Sequence, residues 1–268
     1  MNRIDSKFAE LGEEGRAGLI VFLTAGDPDL ETTRALVPAL VEAGADMVEL
    51  GVPHSDPIAE GPTIQAASTR ALRHRTSLVQ ILELCRELRT ETDVPLVLMG
   101  YLNNLRAYGE EKLVDDATSV GVDGLIVADA PFEEALDLQH ACDAKGVHRI
   151  LLVAPTSTPQ RVVQIATRTR GFAYCVSVTG VTGARTSLPS DLSMLVGRIR
   201  RVCDTPIGVG FGISTPDQAA EVARLADAVI VGSALVQRIG TAPTRSEALR
   251  AATRFVETLR DAIHTARA

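Results

Sequence analysis

The chain has 268 residues, a formal charge of −7, 46% apolar residues, only 3% aromatics and no Trp, so its core is aliphatic. The acidic balance, with no long basic run, argues against nucleic acid or an anionic membrane as a partner, and no apolar run approaches the ~20 residues of a membrane span. The four cysteines, Cys85, Cys142, Cys175 and Cys203, are scattered without a CxxC and read as reduced core thiols of a cytoplasmic protein; the histidines form no ligand pattern, so no metal is expected.

Met1 to Arg16 is polar and charged. Ile4, Phe8 and Leu11 fall at helical spacing, so this segment reads as a short amphipathic helix and not a signal peptide. From there an apolar run and an amphipathic run alternate to the end of the chain. The strand expectations are 19–25, 47–53, 95–101, 124–129, 149–155, 172–178, 206–211 and 228–232. Their near-continuous apolar character suits parallel strands buried on both faces. Helices are expected over 30–43, 63–90, 110–119, 132–145, 159–168, 190–202, 216–225 and 244–265. Asp29 and Thr215-Pro216 carry start signals; Gly44, Gly121 and Gly146 carry stop signals. Eight regular units without a linker predict one α/β domain over 1–268, a single (β/α)8 TIM barrel with an N-terminal helix. Function is then expected in the loops after the strands: 26–29, 54–62, 102–108, 130–132, 156–158, 179–189, 212–215 and 232–234.

Glu49 lies inside an apolar strand, Met47-Val48-Glu49-Leu50. A carboxylate in such a place is either paired or used. A dry barrel mouth would raise its pKa and suit a general acid or base; the alternative is a structural pair with a buried Arg, although Arg149, at a strand start, falls at the opposite end. On the residues alone Glu60 reads as an ordinary surface acid and Asp56 as a turn former. Tyr101 and Tyr174 end or sit in strands, where they serve a pocket or the core equally well. Phe22, Phe211 and Leu125 could wall a flat ligand, with core packing the default. Three glycine-bearing loops, 179–183, 210–214 and 232–234, converge in such a barrel. A short helix over Ser233 to Arg238 would aim its N-terminus at the same point, a phosphate site made of backbone N–H groups. Taken singly, each glycine reads first as a tight turn; it is the three loops together that point to a phosphate.

Phe22-Leu23-Thr24-Ala25-Gly26-Asp27-Pro28, the run from Glu49 to Gln65, Gly121-Val122-Asp123-Gly124, Ala154-Pro155-Thr156, Ser177 to Arg185, Gly210-Phe211-Gly212-Ile213 and Gly232-Ser233-Ala234 stand in an order that closely resembles the tryptophan synthase α subunit. The resemblance covers almost the whole chain. It implies retro-aldol cleavage of indole-3-glycerol phosphate to indole and glyceraldehyde 3-phosphate, a lyase step of tryptophan biosynthesis that needs no cofactor. It implies Glu49 as the proton shuttle and position 60 as the holder of the indole N–H. It also implies that Tyr174 positions the ligand, beside the pocket candidates Phe22, Tyr101 and Phe211 named above, and that Gly183, Gly212, Gly232 and Ser233 contact the phosphate under a loop closing around Thr182. The implied partner is a β subunit in an α2β2 heterotetramer, which carries the pyridoxal phosphate and meets the loops after strands 2, 3 and 6.

The chain departs from that pattern at a few positions. Glu60 stands where the family has Asp, His54 where Phe is usual, Asn103-Asn104 where many members have Asn-Pro, and Cys175 where a second Tyr is common. Ala128-Asp129-Ala130-Pro131 is a milder variant. The change at 60 keeps open two alternatives: a stand-alone or specialised indole-3-glycerol phosphate lyase of another pathway, and a low-activity binding or activating subunit.

Overall fold

The protein is described by a computed structural model covering residues 1–176, 191–210 and 212–267. Eight parallel strands close a barrel in sequence order: β1 Gly18–Thr24, β2 Met47–Gly51, β3 Leu96–Gly100, β4 Gly124–Val127, β5 His148–Val153, β6 Ala173–Val176, β7 Ile207–Gly210 and β8 Ala228–Val231. Around them run α1 Arg3–Glu13, α2 Leu30–Glu42, α3 Pro62–Arg73, α4 Leu78–Arg89, α5 Leu102–Tyr108, α6 Glu110–Ser119 and α7 Leu136–Lys145. These are followed by α8 Pro159–Ala166, α9 Asp191–Arg200, α10 Pro216–Ala223, α11 Ser233–Thr241 and α12 Arg245–Ala266.

The strand sequences explain the closure. Successive side chains point to opposite faces, and here both faces are apolar. Ile20, Met47, Val97, Ile126, Ile150, Phe172, Ala228 and Ile230 fill the interior, joined by Ile4 and Phe8 of α1. That helix plugs one end of the barrel, which is why its apolar residues repeat at helical spacing. The alternate set, including Leu19, Val21, Leu23, Val48, Leu50, Leu96 and Leu98, packs outward on the helices.

The expected caps are present. Asp29 accepts from Thr32 N–H at the start of α2, and Thr215 accepts from Gln218 N–H with Pro216 in the first turn of α10. Gly146 ends α7 in the left-handed conformation, at φ 71°. Two expectations need correction. The single helix over 63–90 is two, α3 and α4, because Ser77 and Gln80 form a capping box that starts a new helix. The loop over 102–108 is instead the short helix α5. No helix among the described residues is long and apolar enough to cross a membrane. All four cysteines are free thiols.

Candidate active site

The inward-facing positions nearest the C-terminal strand ends form the barrel mouth. They are Phe22 on β1, Glu49 and Gly51 on β2, Met99 on β3, Leu152 on β5, Tyr174 and Val176 on β6, and Gly210 on β7. Phe22 pairs in register with Glu49, and Glu49 with Val97. Small residues make room for the rings. A Cβ on Gly51 would lie 2.5 Å from Phe22 Cζ, and one on Gly210 2.9 Å from Tyr174 Oη. A cavity of about 280 Å3 results, lined by Phe22, Ile58, Ala59, Glu60, Ile64, Met99, Ala128, Leu152, Tyr174, Gly212, Gly232 and Ser233 among others.

Glu49 is fully buried, and neither carboxylate oxygen has a hydrogen-bond partner. The structural pairing with Arg149 does not occur. Arg149 is also fully buried, but it faces the helix layer and donates through Nη1 to the Ala135 carbonyl at 3.0 Å. Burial, reinforced by the nearby charge of Glu60, pushes the Glu49 carboxyl up to about 8. Glu49 does not itself line the cavity; it lies beside it, close enough that its charge, after burial, helps raise the Tyr174 hydroxyl well above its usual value.

Glu60 does line the cavity, and burial pushes its carboxyl up to about 7. Its backbone is held on both sides: Glu60 N–H donates to Pro57 O at 3.0 Å, and Gln65 Nε2 donates to Glu60 O at 2.9 Å. Tyr101 is buried against the same loop, its hydroxyl accepting from Ala59 N–H at 3.0 Å. Burial first, then the Glu60 charge, raises the Tyr101 hydroxyl. Asp56 is exposed and contributes its backbone, accepting from Ile58 N–H at 2.9 Å. Behind the mouth Arg70 of α3 makes a bidentate pair with the buried Asp27, at 2.6 and 2.8 Å, fixing the helix that follows the Glu60 loop.

Across the mouth, α11 starts at Ser233 with Gly232 as its N-cap. The Gly232 carbonyl accepts from Leu235 and Val236 N–H. The amides of Ser233 and Ala234 precede any intrahelical acceptor, so they and the helix dipole favour an anion. Gly212, at φ 66°, has no atom within 4 Å of where a Cβ would lie, so its backbone faces open space. The helix expected over 233–238 runs on to Thr241. Thr182, Gly183 and Phe211 lie outside the described residues.

Leu125 is not part of this site. It pairs with Leu98 and packs outward, 1% exposed, while Ile126 takes the inward place. The walls that sequence reasoning missed include Ile64, Met99, Ala128, Leu152, Val176 and Ile230. Counting in twos from Glu49 through the strand register would have found Met99 and rejected Leu125. A wider groove, about 950 Å3, lies between α6 and α7, lined by residues such as Glu110, Lys112, Asp137, His140 and Lys145. It contains none of the candidate residues.

A family model described as tryptophan synthase alpha chain matches residues 8–264. The chain belongs to the tryptophan synthase alpha chain family. It is 50% identical to the tryptophan synthase alpha chain of Geobacter sulfurreducens over 98% of this chain and 99% of that one. With the alpha chain of Citrifermentans bemidjiense it shares 54% identity over 88% and 89% of the two chains. Among solved structures, a tryptophan synthase from Mycobacterium tuberculosis superposes with TM-score 0.91 at 37% identity, covering 98% of both chains. The alpha chain from Legionella pneumophila superposes with TM-score 0.90 at 37% identity, over 98% and 97%. The closed barrel and the order of the motifs are therefore those of the tryptophan synthase alpha chain family.

Proposed function

We propose that this chain cleaves indole-3-glycerol phosphate to indole and glyceraldehyde 3-phosphate, as the lyase component of tryptophan biosynthesis. The observation that carries this reading is the pair of raised carboxyls at one barrel mouth, facing a helix N-terminus across the cavity. Family membership supplies the reaction class.

Glu60 has the lower pKa of the two, and its charge raises that of Glu49. Glu49 is the more deeply buried of the two, which favours its neutral form, so the proposed reaction starts with the proton on Glu49 and Glu60 as the carboxylate. In the proposed step that proton goes to indole C3, and the charge that develops on the ring nitrogen is balanced by the Glu60 carboxylate accepting the indole N–H. The Glu49 carboxylate then takes the proton of the glycerol hydroxyl. The carbon–carbon bond breaks, its electron pair returns to the ring to regenerate indole, and the hydroxyl carbon becomes the aldehyde. Glu49 ends the cycle protonated, so the protons and electrons balance without a cofactor on this chain. Since Glu49 lies beside the cavity and not on its wall, its side chain must turn toward the substrate to act.

Phe22, Met99 and Ile64 give the indole an apolar bed, Tyr174 borders it, and the amides at Gly212, Gly232 and Ser233 receive the phosphate; Tyr101 does not line this cavity and acts from behind, holding the Glu60 loop at Ala59. By resemblance Gly183 and Phe211 join this set and the loop around Thr182 excludes water. The same resemblance gives the chain a pyridoxal-phosphate-bearing β subunit as partner in an α2β2 assembly, and a cytoplasmic location. The test is indole release from indole-3-glycerol phosphate by the purified chain, alone and with a β subunit. Release that the partner accelerates supports the reading. High activity alone with no response to the partner favours a stand-alone lyase, and substrate binding without release in either state favours a non-catalytic subunit.

A further inference from the structure

We infer that His54 is a positioning residue for Glu60, acting through the backbone of its own loop and through Tyr101. The inference rests on the mouth being the lyase site proposed above.

His54 follows β2 by three residues and is half-buried. Its Nδ1 accepts the Asp56 N–H at 2.9 Å, so in this arrangement Nδ1 carries no proton. The imidazole ring packs on the Tyr101 ring, with centroids 4.6 Å apart and planes at 54°. Tyr101 in turn accepts the N–H of Ala59, the residue directly before Glu60. One side chain thus fixes the loop at Asp56 and supports the ring that fixes it at Ala59. From α5, Asn104 Nδ2 approaches the Pro53 carbonyl at 3.4 Å, just before His54.

His54, Asn104 and the backbone that carries Glu60 therefore belong to one connected set of contacts. Phe at position 54 could keep the ring contact but offers no acceptor to Asp56. A glutamate at 60 reaches one methylene further than aspartate, so its carboxyl is correctly placed only if its backbone is set accordingly.

The test is the steady-state kinetics of indole release by His54→Phe, His54→Asn and His54→Ala, each alone and combined with Glu60→Gln. Asn Oδ1 is the same number of bonds from the backbone as His Nδ1 and restores the acceptor without the ring. His54→Phe is expected to lower kcat by about fivefold to tenfold, the effect of one lost hydrogen bond that orders a reacting group, with KM within about twofold. His54→Asn should recover part of that loss relative to His54→Ala, a comparison that stands even if the Phe variant does not fold. In the Glu60→Gln background the His54 effects should shrink to less than about twofold. Wild-type kcat in both His54→Phe and His54→Ala, a loss confined to KM, or the same factor in the Glu60→Gln background would each overturn the inference. Absence of indole release by the wild-type chain would instead overturn the lyase reading itself.

Discussion

The two sides of the barrel mouth are built on different principles. The β7–β8 side presents backbone: Gly212 in the left-handed region and the free amides at the start of α11. The β2–β3 side presents side chains: Glu49 without a partner, Glu60 on a loop, and Tyr101 and His54 holding that loop. A backbone cradle depends on little besides glycine and a helix start, and it binds any phosphate of suitable reach. A carboxyl placed for proton transfer depends on every contact that sets its position and its pKa. The two halves should therefore respond differently to substitution, and His54, Glu60 and Asn104 all stand on the side-chain half.

The largest expected effect separates the halves outright. Glu49→Gln should lower kcat by about 10^3-fold or more, within the usual range for a general acid–base group, while inorganic phosphate or glycerol phosphate still binds, as isothermal titration would show. Turnover near the wild-type rate would remove Glu49 from the chemistry. The reciprocal break is Gly212→Val, which forces a branched side chain into the open space at φ 66°. It should raise KM by about tenfold to 100-fold and change kcat far less. Equal losses in both would mean that the two halves are not separable.

A smaller effect is on stability. The Glu49 carboxyl titrates near 8 in the fold against 4.5 ordinarily. Between those values the folded chain holds a proton that the unfolded chain has released, so this group lowers stability as pH rises, and its cost is fully expressed above about 8. Glu49→Gln should therefore melt higher than the wild type at about pH 8.5, at roughly 2–4 °C for each kcal/mol removed, and close to it at about pH 4. A melting point lowered at the higher pH would show that Glu49 is stabilised by a contact and not strained by burial.

The barrel was legible because each βα unit carries its own signals. Continuous apolar runs, Asp29 and Thr215 caps and glycine stops agree along the chain, and no unit depends on a distant one. The start of α11 was legible for the same reason, since Gly232-Ser233 at a strand end and helix start is a local pattern. The burial of Glu49 was legible from its apolar neighbours in β2. The walls of the pocket were not. Whether Leu125 or Ile126 faces inward depends on register against β3, a non-local fact that both residues satisfy equally as apolar letters. Glu60 reads as a surface acid because the Tyr101 contact that packs its loop comes from residues about 40 positions away. His54 was visible only as a departure from a pattern; its bond to Asp56 N–H and its ring contact exist only in three dimensions.

The most direct test of the two-carboxyl site is the pH dependence of kcat/KM for indole release by the purified chain. The free protein should give a bell: activity rising as the pair loses its first proton near 7 and falling as it loses the second near 8. The rising limb should be lost in Glu60→Gln. A wild-type profile that stays flat from about pH 5.5 to 9.5, or limbs at ordinary carboxylate values near 4, would contradict the account.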